Sequence, residues 1–368
     1  MRKFWPIGGL LSLLSLYSLN GKTQESNSEL IQKNQFSLKP EIKYFGIQNS
    51  HVSSRLYRFE ALSQNYIQLS PTAYFKGDFS LKLTDGQVYT LLPNEEKPEK
   101  IFKVYSANFN FKALKIAKLS FGLIEQNKLI PEILIDPSEA YFGVAHFLNF
   151  KHFDIHGEFV TLPTNETFIA ASSSRTQPST LTQEELNLYF DSEKSFHLAL
   201  GLYSFSHLNS VLAYSSSFKG NDVRGINNLN SSFNNNFRGT YLEISKDIIW
   251  SSSELYFEAT YLRNLEVNKR LGESFELISF FNTCFSKICI KPKITGFYIN
   301  PESGPASLTS KDLFFTNSKG FRNELQVFLN DSNLEFSFKW THAQPIRSRA
   351  YSSSSEMISL SLRSSFEL

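Results

Sequence analysis

The sequence predicts an all-β fold, a transmembrane antiparallel β-barrel of about 16–18 strands, barrels of this kind using even numbers. Three observations carry that reading: strict alternation of apolar and polar residues, segments too long for ordinary strands, and links that switch between short and long.

Alternation is clearest near the C-terminus. In Asn333 to Thr341, Leu334, Phe336, Phe338 and Trp340 interleave with Glu335, Ser337, Lys339 and Thr341, a period of two that puts one set on each face of a strand. The preceding segment sets Phe321, Leu325, Val327 and Leu329 against Arg322, Glu324, Gln326 and Asn330, and only Asn330-Asp331-Ser332-Asn333 separates the two runs. A tight polar turn between alternating runs reads as a β-hairpin. Ile288, Ile290, Ile294 and Tyr298 oppose Lys287, Cys289, Lys291, Lys293 and Thr295, and the segments 242–250, 254–261 and 196–202 repeat the pattern. These runs extend over roughly 9 to 14 residues, whereas globular strands average about 5 to 6 and bilayer-crossing strands need about 9 to 11.

Link lengths give an independent check, because such barrels have short turns at one end and longer loops at the other. Read from the C-terminus, long links at 345–354, 299–319, 265–272 and 219–235 alternate with short ones at 331–332, 285–286, 251–252 and 206–207. Further long links are expected at 125–137 and 93–101, with turns near 150–151 and 113–115. The alternation blurs between 162 and 194, where Thr182 and Glu185 fit a capping box for a short helical turn.

At the N-terminus, Arg2 and Lys3 precede an apolar, Leu-rich run from Phe4 to Leu19, which is the grammar of a cleavable secretory signal peptide. The organisation expected is therefore a signal peptide over 1–21, a polar N-terminal segment over 22–50 outside the wall, and the barrel over 51–368. Composition agrees: 41% hydrophobic residues is low for a helical membrane protein, while 35 Phe and 16 Tyr would supply aromatic girdles at two interfaces. A net charge of +2, from 37 basic and 35 acidic residues, points to no nucleic-acid partner.

The last strand completes the pattern. From Met357 to Leu368, Ile358, Leu360, Leu362, Phe366 and Leu368 alternate with Ser359, Ser361, Arg363, Ser365 and Glu367. This resembles the C-terminal assembly signal of bacterial outer-membrane barrels of the porin kind, with Leu368 where that family commonly ends on an aromatic. The resemblance spans roughly residues 52–368 as architecture. It implies a diderm outer membrane, contact with its lipids, passage of small hydrophilic solutes or ions, and a homo-oligomer, with a trimer among the options. It also implies that the third outer loop, 125–137, folds inward, making Glu125, Glu132 and Asp136 constriction residues. Leu129, Ile130, Ile133, Leu134 and Ile135 suit a loop packed against something.

If the apolar face meets lipid, Lys287, Lys291, Lys293, Arg322, Glu324, Glu335, Lys339 and Arg363 line a wet lumen of mixed sign, joined by Glu243, Glu254 and Glu258. A soluble sheet would present the same alternation, with these residues on its solvent face. A barrel of 16 or more strands is wide enough for an aqueous channel. Cys284 and Cys289 flank the turn Phe285-Ser286-Lys287-Ile288, which makes them a cross-strand pair and a disulfide in an oxidising compartment. His152, Asp154, His156 and Glu158 share one strand face, but ordinary lumen polarity explains them as well as a metal would. Asn165-Glu166-Thr167 matches a glycosylation sequon of little meaning in a bacterial chain. The reading is a channel that is not an enzyme and uses no cofactor or metal. A structural or adhesive barrel, with the Asn- and Ser-rich 219–235 as its contact surface, and an outer-membrane hydrolase are the alternatives.

Overall fold

The computed structural model describes residues 35–50, 52–90, 98–114, 116–126, 130–162, 177–191, 193–225, 227, 229–348 and 353–367. The signal peptide expected over 1–21, the segment 22–34 and the sequon at 165–167 lie outside the described residues.

The wall has sixteen strands. They are β1 (Gln35–Gln48), β2 (Val52–Ser70), β3 (Ala73–Thr90), β4 (Glu99–Leu114), β5 (Ala117–Glu125), β6 (Ala140–Asn149), β7 (Phe153–Thr161) and β8 (Thr180–Tyr189), followed by β9 (Phe196–Ser206), β10 (Arg238–Trp250), β11 (Ser253–Asn264), β12 (Glu273–Phe285), β13 (Ile288–Ile299), β14 (Ser318–Leu329), β15 (Leu334–Pro345) and β16 (Ser355–Ser364). Each pairs antiparallel with the next, and the ring closes where β1 pairs with β16, Glu41 opposite Arg363 and Tyr44 opposite Leu360. Phe366 and Glu367 continue the seam against Leu38 and Ser37. Every strand of the ring has a partner on both sides over part of its length, where backbone groups are satisfied by neighbours, and residues 85–90 of β3 and 99–106 of β4 extend past their pairing with the next strand.

The polarity of the wall is inverted relative to a water-soluble protein. Phe336, Phe257, Phe121, Ile294 and Leu362 are exposed on the outside, while Thr341, Thr295, Ser274 and Ser106 are buried inside. Scattered exposed apolar residues are ordinary, but a belt of them around the whole wall marks a surface built for something other than water. Inside, the packing is close. Gly201 of β9 leaves the space that the Tyr241 ring fills, since a Cβ there would lie 2.0 Å from the Tyr241 Cζ.

The end at which β1 begins and β16 finishes has the tight turns. Ser251, Ser286 and Asn333 take left-handed backbone there (φ 52°, 56° and 50°), a conformation that favours Gly or Asn and that two of these turns impose on Ser. At the turn after β12, Cys284 and Cys289 are directly opposed with Cα atoms 4.0 Å apart and their sulfurs bonded. The opposite end carries the long links, 126–139, 162–179, 207–237 and 300–317 among them.

The structure differs from the sequence reading in three places. Residues 35–48, expected outside the wall, form its first strand; Glu41, Lys43 and Phe45 face the lumen and alternate with Ile42 and Tyr44, a pattern diluted by Pro40 and Gly46. The short turn expected at 206–207 is instead the start of the long link 207–237, which contains helix α1 (Ser210–Ser217) and a small hairpin pairing Val223–Arg224 with Ser232–Phe233. Asn209 caps α1 by accepting from the Leu212 N–H at 2.9 Å, and Leu212 and Ala213 are buried, so tertiary packing sustains a helix with little amphipathic signature of its own. Thr182 and Glu185, the expected capping box, both lie in β8, paired with Phe159 and His156.

The two faces can be tested on β15 in a variant cleared of Cys284 and Cys289. In membrane-embedded protein, a cysteine at Phe336 should react with a lipid-soluble probe and resist a charged reagent, and a cysteine at Ser337 should do the reverse. Equal reaction of the charged reagent at both positions would contradict the wall polarity. Phe336→Arg near the bilayer midplane should cost about 2–4 kcal/mol.

Candidate functional site

Three long links turn back into the barrel and pack together. Ile130, Ile133, Leu134 and Ile135 of 126–139, Leu212 of 207–237, and Leu308 and Leu313 of 300–317 share one buried cluster with the wall residues Tyr141, Val160, Leu181, Tyr203 and Ile299. Hydrogen bonds fix their register: Asp136 N–H donates to the Leu308 carbonyl at 2.7 Å, Ala306 N–H to Asn221 Oδ1 at 2.6 Å, and the Tyr203 hydroxyl to the Ser303 carbonyl at 2.8 Å. The apolar run in 130–135 is therefore the core of an internal plug. Its isoleucines are hidden from water by other loops.

Two ion pairs tie the plug to the wall. Arg322 of β14 donates through Nη1 and Nη2 to both oxygens of Glu132, at 2.6 and 2.8 Å, and the Ser310 hydroxyl adds a third hydrogen bond at 2.7 Å. The Arg322 side chain is only 3% exposed, so this is a paired charge shielded from water, with the fork geometry that makes such pairs strong. Lys339 of β15 donates to Asp312. Burial pushes the Glu132 carboxyl up, but the facing Arg322 guanidinium more than reverses this and holds it below the usual carboxylate range. Burial acts the same way on Asp312, and the Lys339 ammonium, helped by Lys43 and Arg322, holds that carboxyl well below its ordinary value.

Beneath the plug, along β7 to β11, the lumen is filled by interlinked polar side chains. Gln126 donates to Glu158 at 3.2 Å, His156 lies 3.3 Å from Glu185, and Tyr241 and Gln183 join the same network. Asp154 is taken by Tyr189 and Lys194, so Asp154, His156 and Glu158 go to different partners. Among the described residues no group of three or more His, Cys, Asp or Glu is arranged to hold a metal ion. One arrangement has the order of a hydrolytic relay: Ser245 is hydrogen-bonded to His197 Nδ1, and His197 Nε2 lies 3.4 Å from Glu243. Ser245 is 4% exposed and paired on both sides, with His197 and Glu258, so the neighbouring N–H groups serve the sheet rather than an oxyanion.

The open space lies on the other side of the lumen. A cavity of about 420 Å³ runs between the plug and the strands β1 to β4, β15 and β16, lined by Lys43, Arg58, Lys82 and Lys103 on the wall and by Glu132, Asp136 and Asp312 on the plug. A second cavity of about 210 Å³ lies toward the turn end, with Lys39, Gln64, Asp78 and Glu125 in its lining. Glu41, Glu60, Tyr105 and Arg363 of the wall, and Pro137 and Ser138 of the plug, line both. We call the two cavities together the passage, and the six residues they share its neck. Tyr105 donates to Glu60 at 2.6 Å and Arg363 to Glu41 at 3.1 Å, which fixes the wall side.

The expected site residues divide accordingly. Glu125, Glu132 and Asp136 all line the passage, Glu125 paired with Lys76 at 3.0 Å. Of the expected wall residues only Arg363 lines it, bridging Glu41 and Glu335. Arg322 and Lys339 point inward but sit behind the plug carboxylates. Glu324 accepts from Gln326 at 2.8 Å, and Lys291 lies over the Phe280 ring, 3.7 Å from its centroid. Lys293 faces the lumen near Glu258 and Glu276. Lys287 is a correction: it occupies the exposed turn before β13 and pairs with Asp331, because the alternation runs on into the turn without marking where the wall stops. Missed altogether were Glu41, Lys43, Arg58, Glu60, Lys82, Lys103 and Tyr105. The available signal was the alternation of charge with Ile42, Tyr44, Tyr57 and Phe59.

No protein-family model matches the chain, and no curated protein matches it by sequence. Solved structures of outer-membrane porins match its fold. Pseudomonas putida OprB at high pH aligns over 91% of this chain and 94% of its own, at 10% identity and a TM-score of 0.58. Pseudomonas aeruginosa OccK1 (OpdK) aligns over 92% of this chain and all of its own, at 10% identity and a TM-score of 0.52. The structure of OpdK with vanillate matches at 11% identity, over 92% of this chain and 100% of its own, with a TM-score of 0.52. The chain shares with them the outer-membrane barrel fold, closed in this chain by sixteen antiparallel strands.

Proposed function

We propose that this protein is an outer-membrane porin-like channel for passive diffusion of small hydrophilic solutes. The observation that carries the reading is the passage itself: two cavities in the lumen that share the lining residues Glu41, Glu60, Arg363, Tyr105, Pro137 and Ser138, inside a wall whose outer face is apolar. Fold likeness to OprB and OpdK supports it. In this reading the apolar belt meets lipid, the loop end faces outward, and the turn end with Cys284–Cys289 faces the periplasm. Export would use the leader expected over 1–21. A homotrimer would use part of the apolar belt.

Refolded protein in a planar bilayer should conduct in discrete steps, with currents that fall as solutes approaching the neck size are added. A protein that inserts yet carries no current would contradict the channel.

The plug should govern the steadiness of that current. Glu132→Gln leaves Arg322 buried without its anion, at a cost to loop docking of about 3–5 kcal/mol, and should produce a flickering open state. Combining it with Arg322→Met removes the orphaned charge and should quiet the current; equal noise in both variants would contradict the pairing. Both plug carboxyls sit below their usual values in the folded protein, so their contribution is complete above the free values of about 4.3 and 3.9 and fades as pH falls below them. The current should therefore stay steady from pH 7 to pH 5 and become noisy only below about pH 4; noise already present at pH 6 would refute this.

A further inference from the structure

Half-way up the wall, on its outer face, β6 to β8 carry an acid and a base side by side. His146 of β6 lies opposite Gly157 of β7, and Gly157 lies opposite Glu184 of β8. The flanking Ala145, Glu158 and Gln183 are buried toward the lumen, so by alternation His146, Gly157 and Glu184 take the outer face, with the exposed Val144 and Phe159. The Glu184 carboxylate reaches across Gly157 to within 3.5 Å of His146 Nε2, its side chain 52% exposed and that of His146 30%. A Cβ on Gly157 would lie 2.4 Å from Glu184 Oε2, so glycine at this position lets the carboxylate lie flat along the wall. Gly157 is the central residue of β7 (Phe153–Thr161). The pair therefore sits midway between the turn end and the loop end.

A charged group on the lipid face costs most at the bilayer midplane and little near the interfaces. Other outward pairs keep to the strand ends: Lys246 reaches Asp191 in the turn after β8, and His342 meets Glu356, the second residue of β16. His146 and Glu184 do not. Pairing alone poorly repays the withdrawal of two such groups from water, and further polar partners are needed to complete it. Around the pair, Leu119, Phe159, Leu200 and Leu202 are exposed, and Thr182 and Ser204 lie opposite each other on its loop side. A polar centre within an apolar rim is the anatomy of a protein contact. The wall behind it is backed by the filled half of the lumen, with His156 against Glu185 and Gln126 bonded to Glu158, whereas the passage runs beside β1 to β4. A partner docked on β6 to β8 would leave the passage untouched.

From this we infer that copies of this chain meet at the outer face of β6 to β8, with His146 of one copy against Glu184 of the next. The patch presents both halves of the contact and is complementary to itself. Strands two apart in a sheet are separated by about 10 Å, which puts His146 on one flank of the patch and Glu184 on the other. A two-fold pair and a closed ring of copies both set the basic flank of one chain against the acidic flank of its neighbour. Lipid hydrocarbon offers neither group a partner, and a second copy supplies both by symmetry. The inference rests on the reading that the apolar belt meets lipid, and it names the part of that belt a homo-oligomer uses.

The test cross-links single cysteines in native membranes, in full-length protein cleared of Cys284 and Cys289. A short bis-maleimide should join copies through Phe159→Cys, at the centre of the patch, and not through Ile358→Cys, on β16 across the barrel; both positions are exposed on the outer face. The product should have a whole multiple of the chain mass. Adding His146→Leu and Glu184→Leu to the Phe159→Cys protein should abolish the product, while the conductance of each channel stays at its wild-type value, since neither residue lines the passage. If the double leucine variant fails to insert, Glu184→Gln, which keeps the shape and removes the charge, should diminish the product instead. Absence of a product at 159, equal products at 159 and 358, an adduct to a different protein, or a product undiminished in the variants would overturn the interface and leave the channel standing. A protein that cross-links at 159 yet carries no current would remove the channel and leave the interface. A chain recovered in soluble form would overturn both.

Discussion

Every feature of this molecule follows from one constraint: in a wall without water on its outer face, all backbone hydrogen-bonding groups must find partners within the sheet. Sixteen antiparallel strands meet it only because the first and last pair with each other, Glu41 opposite Arg363. That seam also decides where the passage runs. It brings Glu41, Lys43 and Arg363 from the two ends of the chain to one patch of lumen, opposite the plug. Closure of the fold and assembly of the neck are thus the same event.

A lumen this wide must be either filled or left as a pore, and the chain does both. Over β7 to β11 the space is closed by hydrogen-bonded side chains and the plug core; beside β1 to β4 it stays open. The boundary depends on Arg322 and Lys339, which hold Glu132 and Asp312 from behind. Those two pairs take up Glu132 and Asp312, and the upper cavity keeps a lining of both signs, with Lys43, Arg58, Lys82 and Lys103 beside Glu41, Glu60 and Asp136. Because Arg322 is shielded from water, its pair is costly to break, and the plug behaves as part of the wall.

Much of this was legible beforehand because alternation of period two reports directly on which face a residue takes. Leu334 to Thr341 announced both faces of β15, the Phe285-Ser286-Lys287-Ile288 turn placed the two cysteines opposite each other, and the apolar run 130–135 announced a loop that packs. What escaped has physical reasons. β1 carries Pro40 and Gly46 and has charges on its lumen face, so its pattern reads as a polar leader until β16 is seen beside it. Helix α1 is short and held by packing rather than by an apolar stripe, which makes it indistinguishable from a weak strand. Burial of Arg322 behind Glu132 is a contact between residues far apart in sequence, and alternation assigns a face without saying what covers it.

Conduction depends on the location of the neck, and a cysteine at Ser138, in protein cleared of Cys284 and Cys289, tests that location most directly. Ser138 lines both cavities, whereas Ser245 lies in the filled half of the lumen and is buried. Adding a charged thiol reagent during single-channel recording should cut the current sharply in the Ser138→Cys protein and leave the Ser245→Cys protein unchanged. A current indifferent to modification at 138, or one that falls only on modification at 245, would place the pathway elsewhere and contradict the account.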